Sequence, residues 1–239
     1  MKRRLALLDS LVQVQRFKIG LKAETMTATN PKTRVVLWEV DTQADFMLPG
    51  GKLYVPGAEK QIPNMRRLVD AARSGKAFLV SSTDQHSDTD AEFQRFPVHC
   101  VRGTPGAAIL PELKAADAAH IPNSLSSAIP ANLSQIQQVI LEKQTLDVFD
   151  NPMTEKLLAR FPNDCEFIVF GVVTEYCVRL AAEGLLSRGR SVAIITDAIE
   201  ALDNAEGQRT LGSLSTRGAR LISTNEALAI IDNSSAARR

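Results

Sequence analysis

From residue 34 onward, short apolar runs rich in β-branched residues alternate with segments of helical spacing, and few folds accommodate that rhythm. The runs are 35-VVLWEV-40, 77-AFLVSST-83, 138-QVILEK-143, 166-EFIVFGV-172, 191-SVAIITD-197 and 219-ARLIST-224. Helical spacing is seen in 61-QIPNMRRLVDAARSG-75, 152-PMTEKLLARF-161, 175-EYCVRLAAEGLLSRG-189 and 204-NAEGQRTLGSLSTRG-218. Pro152 suits a first helical turn, and Gly75, Gly189 and Gly218 suit helix C-termini. Near-continuous apolar strands separated by helices predict an α/β fold: a three-layer α/β/α sandwich with a mostly parallel central sheet. The stretch 84–134 lacks this rhythm and reads as a long irregular insertion of the kind that carries function.

The 239 residues fit one sizeable domain, placed at 34–231, with an N-terminal lead-in at 1–33 and a polar C-terminal tail at 232–239. The linker-like 25-TMTATNPKTR-34 raises Met26 as an alternative start. A net charge of +1 and 5% aromatic residues give no footprint for nucleic acid or a membrane surface. Three cysteines, Cys100, Cys165 and Cys177, form no disulfide framework, and the N-terminus lacks a long apolar core. Both features predict a reduced, cytoplasmic protein.

In open parallel sheets, ligands bind beyond the carboxyl ends of the strands. Four strand ends deliver chemically competent groups there: Asp41, the pair Asp84 and His86, Lys143, and Cys177 a few residues on. Cys177 lies at the start of a helix, where the dipole and a nearby lysine favour thiolate. Asp41 is placed to take the thiol proton, and Lys143 to hold both anions. Backbone N–H groups of the turn from Val173 to Cys177 suit an oxyanion, at roughly 3–4 kcal/mol per good donor. A small buried hydrophobe is the other reading of Cys177.

The segment 82-STDQHSDTDAEFQRFPVHCVRGTPG-106 offers a different chemistry. Asp84 and His86 alternate onto one side of an extended chain, and Glu92 and His99 lie further round the loop. Two imidazoles and two carboxylates suit Zn²⁺, Fe²⁺ or Mn²⁺ better than Ca²⁺. A merely solvated acidic loop is the alternative. His99 and Cys100 invite a catalytic pairing, but neighbours on an extended chain point opposite ways.

The motifs 41-DTQADF-46, 84-DQH-86, 97-PVHCVRGTPGA-107, Lys143 and 171-GVVTEYCV-178 together resemble those of the isochorismatase-like cysteine hydrolases, and within them the nicotinamidases. The resemblance spans roughly 34–231. It implies an Asp41–Lys143–Cys177 triad, a cis peptide between Val172 and Val173, and an oxyanion hole from the Val173 and Cys177 amides. It further implies one divalent metal on Asp84, His86, Glu92 and His99 that holds the substrate's pyridine nitrogen. Phe46 and Phe96 would flank a flat ring, although ordinary core phenylalanines are the other reading. The implied reaction is hydrolysis of a small amide. Another amide, a vinyl ether or a non-catalytic member of the fold are the alternatives. The expected partners are a small amide and further copies of the chain. Glu39 departs from the family pattern: by alternation it should share a face with Asp41, or else lie solvated at a strand edge.

Overall fold

The computed structural model describes residues 30–31 and 33–236, so Met26 and most of the expected lead-in lie outside the described residues. Seven strands build one sheet: β1 (Val35–Val40), β2 (Phe78–Asp84), β3 (Ala118–Ile121), β4 (Gln138–Lys143), β5 (Glu166–Val172), β6 (Ser191–Glu200) and β7 (Arg220–Ile222). Their order is β3-β4-β2-β1-β5-β6-β7, and every pairing is parallel. The helices are α1 (Ala44–Met47), α2 (Ile62–Arg73), α3 (Met153–Leu158), α4 (Arg179–Ser187), α5 (Asn204–Thr216) and α6 (Thr224–Ala236). None is long and apolar enough to cross a membrane.

Alternation along the central strand explains the layers. Val35 and Leu37 pack with Met65 and Leu68 of α2 and Ala227 and Ile231 of α6. Val36, Trp38 and Val40 pack on the other face with Leu157 of α3, Leu185 of α4 and Leu214 of α5. With both faces covered, every residue of β1 is buried, which is why its sequence, Glu39 apart, is apolar rather than alternating. The chain leaves β1 for β2 on one side and later places β5 on the other. The connections therefore diverge at the carboxyl ends of the central strands, where a crevice opens.

Gly171 lets β5 approach that crevice. It has φ +120°, and a Cβ there would lie 2.1 Å from the Val40 carbonyl oxygen. Only glycine fits so close a backbone contact.

Three features differ from the sequence reading. The stretch 84–134 contains a strand, β3, which is short, at the sheet edge and has only Ile121 buried. Helix α6 runs to Ala236, into the segment expected as a polar tail. Glu39 and Asp41 do not share a face. Glu39 accepts from Thr42 Oγ1 at 2.6 Å, Ser81 Oγ and Gln138 Nε2 at 3.2 Å. Asp41 instead accepts from Ser82 Oγ at 2.7 Å, and Ser81 and Ser82 face opposite ways along β2. The strand ends at Val40, and Asp41 takes a left-handed φ of +49°, so the alternation stops there.

Glu39 is wholly buried in the centre of the sheet rather than solvated at an edge. Burial raises its carboxyl from 4.5 to about 7, against the hydroxyls and the Gln138 amide that favour the anion. Between these values the folded state keeps a proton that the unfolded chain releases, so stability falls as pH rises through this window. Glu39→Gln should flatten that slope and gain on the wild type above the window, by at most roughly 3 kcal/mol. Urea denaturation at about pH 5 and about pH 8 measures it; parallel profiles for the two proteins would refute the assignment.

Candidate active site

Four adjacent strands, β4, β2, β1 and β5, supply the candidate groups from their carboxyl ends. Asp41 follows β1, Asp84 ends β2 and Lys143 ends β4, paired with Asp84 across the sheet. Beyond β5 the chain crosses the Val172–Val173 peptide, which is cis, and enters a single π-type turn, Thr174–Val178, carrying Cys177. The turn leads directly into α4.

Lys143 is the centre of the group. Its ammonium lies 2.9 Å from Asp41 Oδ2 and 3.6 Å from Cys177 Sγ, and it is in direct contact with Asp84 Oδ1. All four residues are buried. Burial by itself would lower the Lys143 pKa, but Asp41, Asp84 and Cys177 outweigh it and hold the ammonium well above its ordinary value. Burial would likewise raise Asp84; Lys143, His86 and His99 reverse this and keep it below the usual carboxylate range. Asp41 is raised by burial and by Asp84, against Lys143. Burial also pushes the Cys177 thiol well up; Lys143 opposes this, and Asp41 and Asp84 add to it. The sequence reading expected helix terminus and lysine to favour thiolate. Burial beside two carboxylates works against both.

The other oxygen of Asp84 faces the histidines. Oδ2 lies 3.8 Å from His86 Nε2 and 3.7 Å from His99 Nε2. Ligand-type atoms of Asp84, His86 and His99 all fall within 4.8 Å of one another, and all three residues are buried. His99 Nδ1 sits 2.7 Å from the Pro97 carbonyl, which fixes the proton on Nδ1 and leaves Nε2 as a lone-pair donor. Both ring nitrogens of His86 are buried without a hydrogen-bond partner. Such an orphaned imidazole, converging with a second imidazole on a carboxylate, fits a divalent transition metal. Glu92, the fourth expected ligand, is outside this group. It lies on the adjoining cavity wall, on the turn Ala91–Gln94, its carboxyl raised by burial and by Asp84.

The cavity joins the two halves: Asp41 and Cys177 on one side, Asp84 and His99 on the other. Phe46 and Phe96 are both on its wall, and the Phe46 ring is 5.3 Å from that of His99. Tyr176, whose ring stands perpendicular to Phe96 at 6.1 Å, also lines it. Cys100 has no part in this cavity. It is buried in the core on the α2 side, its thiol raised by burial and nearby carboxylates.

The sequence reading missed Gln43 as a site residue. Its buried amide receives the Asp84 N–H at 2.7 Å and donates to the Asp84 carbonyl at 2.7 Å and to that of Ala107 at 2.8 Å. It clamps the backbone of the central carboxylate, and its position inside 41-DTQADF-46 was the only available signal. Tyr176, Leu53 and Leu202 were also missed, since an apolar wall has no signature distinct from core.

A family model described as the isochorismatase domain matches residues 35–138 and 122–226. The chain belongs to the isochorismatase family. It is a family hydrolase with a likeness to particular members. Nicotinamidase of Escherichia coli (strain K12) is 28% identical over 181 residues, 66% of this chain and 79% of that protein. The nicotinamidase/pyrazinamidase of Mycobacterium tuberculosis is 27% identical over 165 residues, 66% of this chain and 82% of that protein. The structure of Pyrococcus horikoshii pyrazinamidase in complex with zinc aligns with TM-score 0.63 and 26% identity, covering 80% of this chain and 99% of that one.

Replacing Lys143 by methionine should test the electrostatic centre. Two buried carboxylates would lose their shared cation, at a cost of about 3–5 kcal/mol near neutral pH. Without that cation both groups protonate more readily, so the deficit should shrink in acid. Chemical denaturation of Lys143→Met across pH checks this; a small, pH-independent loss would contradict it.

Proposed function

We propose that this hydrolase is a metal-assisted cysteine amidohydrolase acting on nicotinamide, releasing nicotinate and ammonia. The observation that carries the reading is the single cavity holding Asp41 and Cys177 against Asp84 and His99, with Phe46 and Phe96 on its walls. Nicotinamidases among its relatives support the substrate.

In this mechanism Asp41 takes the Cys177 proton as sulfur attacks the carboxamide carbon. The raised thiol makes such a base necessary, and the Lys143 ammonium steadies the thiolate as it forms. Amide N–H groups of Val173 and Cys177 would receive the developing oxyanion. Asp41 then gives its proton to the departing ammonia, and water activated by the same carboxylate cleaves the thioester. Asp84, His86 and His99 would hold a divalent ion, Zn²⁺, Fe²⁺ or Mn²⁺, with Glu92 the fourth candidate. That ion supplies a Lewis-acidic point to orient the ring nitrogen of the substrate. Phe46 and Phe96, both on the cavity wall, would flank a flat heteroaromatic. The product would feed pyridine nucleotide salvage.

Metal-loaded protein should release ammonia from nicotinamide, and Cys177→Ala should reduce turnover by three orders of magnitude or more with its metal content intact. Ammonia release with mass spectrometry of a trapped thioester is the measurement. Inactivity on nicotinamide but turnover of another small amide or a vinyl ether would reject the substrate; activity surviving in Cys177→Ala would reject the mechanism. Inactivity on all of them would favour a binding role.

A further inference from the structure

We infer that Asp90 is a positioning residue of the metal centre, orienting His86 and the turn that bears Glu92 with one carboxylate. The inference rests on the reading that Asp84, His86 and His99 hold a divalent ion. Asp90 stands four residues beyond His86, in a loop whose acidic residues otherwise read as solvated. Its Oδ2 lies 3.1 Å from His86 Nδ1, and its Oδ1 receives the Glu92 N–H at 2.9 Å. Its own N–H donates to the Ser87 carbonyl at 3.2 Å, which fixes the carboxylate relative to the loop. The 3.1 Å contact with His86 Nδ1 is close but not a straight hydrogen bond.

An imidazole that offers one nitrogen as a ligand must carry its proton on the other, and a carboxylate beside that nitrogen selects the tautomer and the ring orientation. His86 is wholly buried, so bulk solvent does not reach it. Its ring is confined edge-on by those of Phe93 at 5.3 Å and His99 at 4.9 Å. These contacts limit the ring plane but do not distinguish its two nitrogens; the Asp90 carboxylate does. With the proton held at Nδ1, the Nε2 lone pair points toward Asp84. His99 reaches the same state through the Pro97 carbonyl, so both rings present Nε2 to one carboxylate oxygen. Asp90 is not on the cavity wall and touches no reacting group. Its side chain is 15% exposed, so its outer edge stays near solvent and the charge avoids full desolvation.

A plain turn-capping role is the competing explanation, and Asp90→Asn separates the two. Asparagine keeps an oxygen for the Glu92 N–H but sets an amide NH₂ against His86 Nδ1–H. Asp90→Ala removes both contacts. Metal-free Asp90→Asn should melt like the wild type, yet bind Zn²⁺ about 10–100-fold more weakly in a chelator competition. Its Co²⁺ complex should show an altered visible absorption. Asp90→Asn with wild-type Zn²⁺ affinity and Co²⁺ spectrum would overturn the inference, leaving Asp90 as a cap. Asp84→Asn and His99→Ala, measured in parallel, keep the two readings apart. Loss of Zn²⁺ in these but not in Asp90→Asn removes only the role of Asp90. A wild-type protein that binds no Zn²⁺, or one unaffected by Asp84→Asn and His99→Ala, removes the metal centre and this inference together.

Discussion

A single buried ammonium, that of Lys143, holds this site together. It touches the carboxylates of Asp41 and Asp84 and the sulfur of Cys177, each delivered by a different strand. Ionised groups taken out of water are costly unless they are paired and hydrogen-bonded. Here Ser82 supports Asp41, and Gln43 fixes the Asp84 backbone. The sheet supplies the rest of the rigidity, because Lys143 and Asp84 are register partners in adjacent strands. Such a cluster is pre-organised by backbone hydrogen bonds before any substrate arrives.

Asp84 is the hinge between the two chemistries. One oxygen contacts the ammonium and the other faces both histidines. The Asp41–Lys143–Cys177 cluster and the Asp84–His86–His99 group are thus one connected network, and the cavity runs along it. Because Asp84 sits on β2 beside β1, the loop that follows it can swing His86 and His99 over the crevice while β1 still presents Asp41 from beneath. A parallel sheet with its switch point at this place makes that arrangement available without a second domain.

The layers were legible in the sequence because each central strand is buried on both faces and so reads as a mostly continuous apolar run, Glu39 and the polar end of β2 excepted. β3 was not, since an edge strand with one buried residue carries almost no pattern. α6 hid for the opposite reason: its last turns are polar, and its ties to the core, Ala227, Leu228, Ile230 and Ile231, are confined to its middle. Residues at strand ends could be picked out by chemistry, so Asp41, Asp84, Lys143 and Cys177 were identified before their contacts were known. Residues that act through others were not. Gln43 and Asp90 are ordinary polar residues until their partners are placed, and no spacing rule links Gln43 to the backbone of a residue forty-one positions away. The face-sharing rule misplaced Glu39 because it assumes a strand that continues, whereas β1 ends before Asp41 turns left-handed.

The directions of the four pKa shifts divide the cluster in two. Asp84 is held low and Lys143 high, so both are charged at neutral pH. That pair cancels, and Asp41 and Cys177 remain. Both are raised, each by burial and by the negative charge of the carboxylates around it. A negative charge in so dry a place is disfavoured, so burial makes each of the two groups hold its proton more firmly than it would in water. For an attacking sulfur this is the useful arrangement. In the proposed mechanism the thiol would surrender its proton only as its bond to carbon forms, to a carboxylate already beside Lys143, and the same proton would then be at hand for the leaving amine. The high resting pKa of the thiol, which would mark an inert core cysteine elsewhere in the fold, here accompanies a base and a cation within reach, and that company separates Cys177 from Cys100 and Cys165.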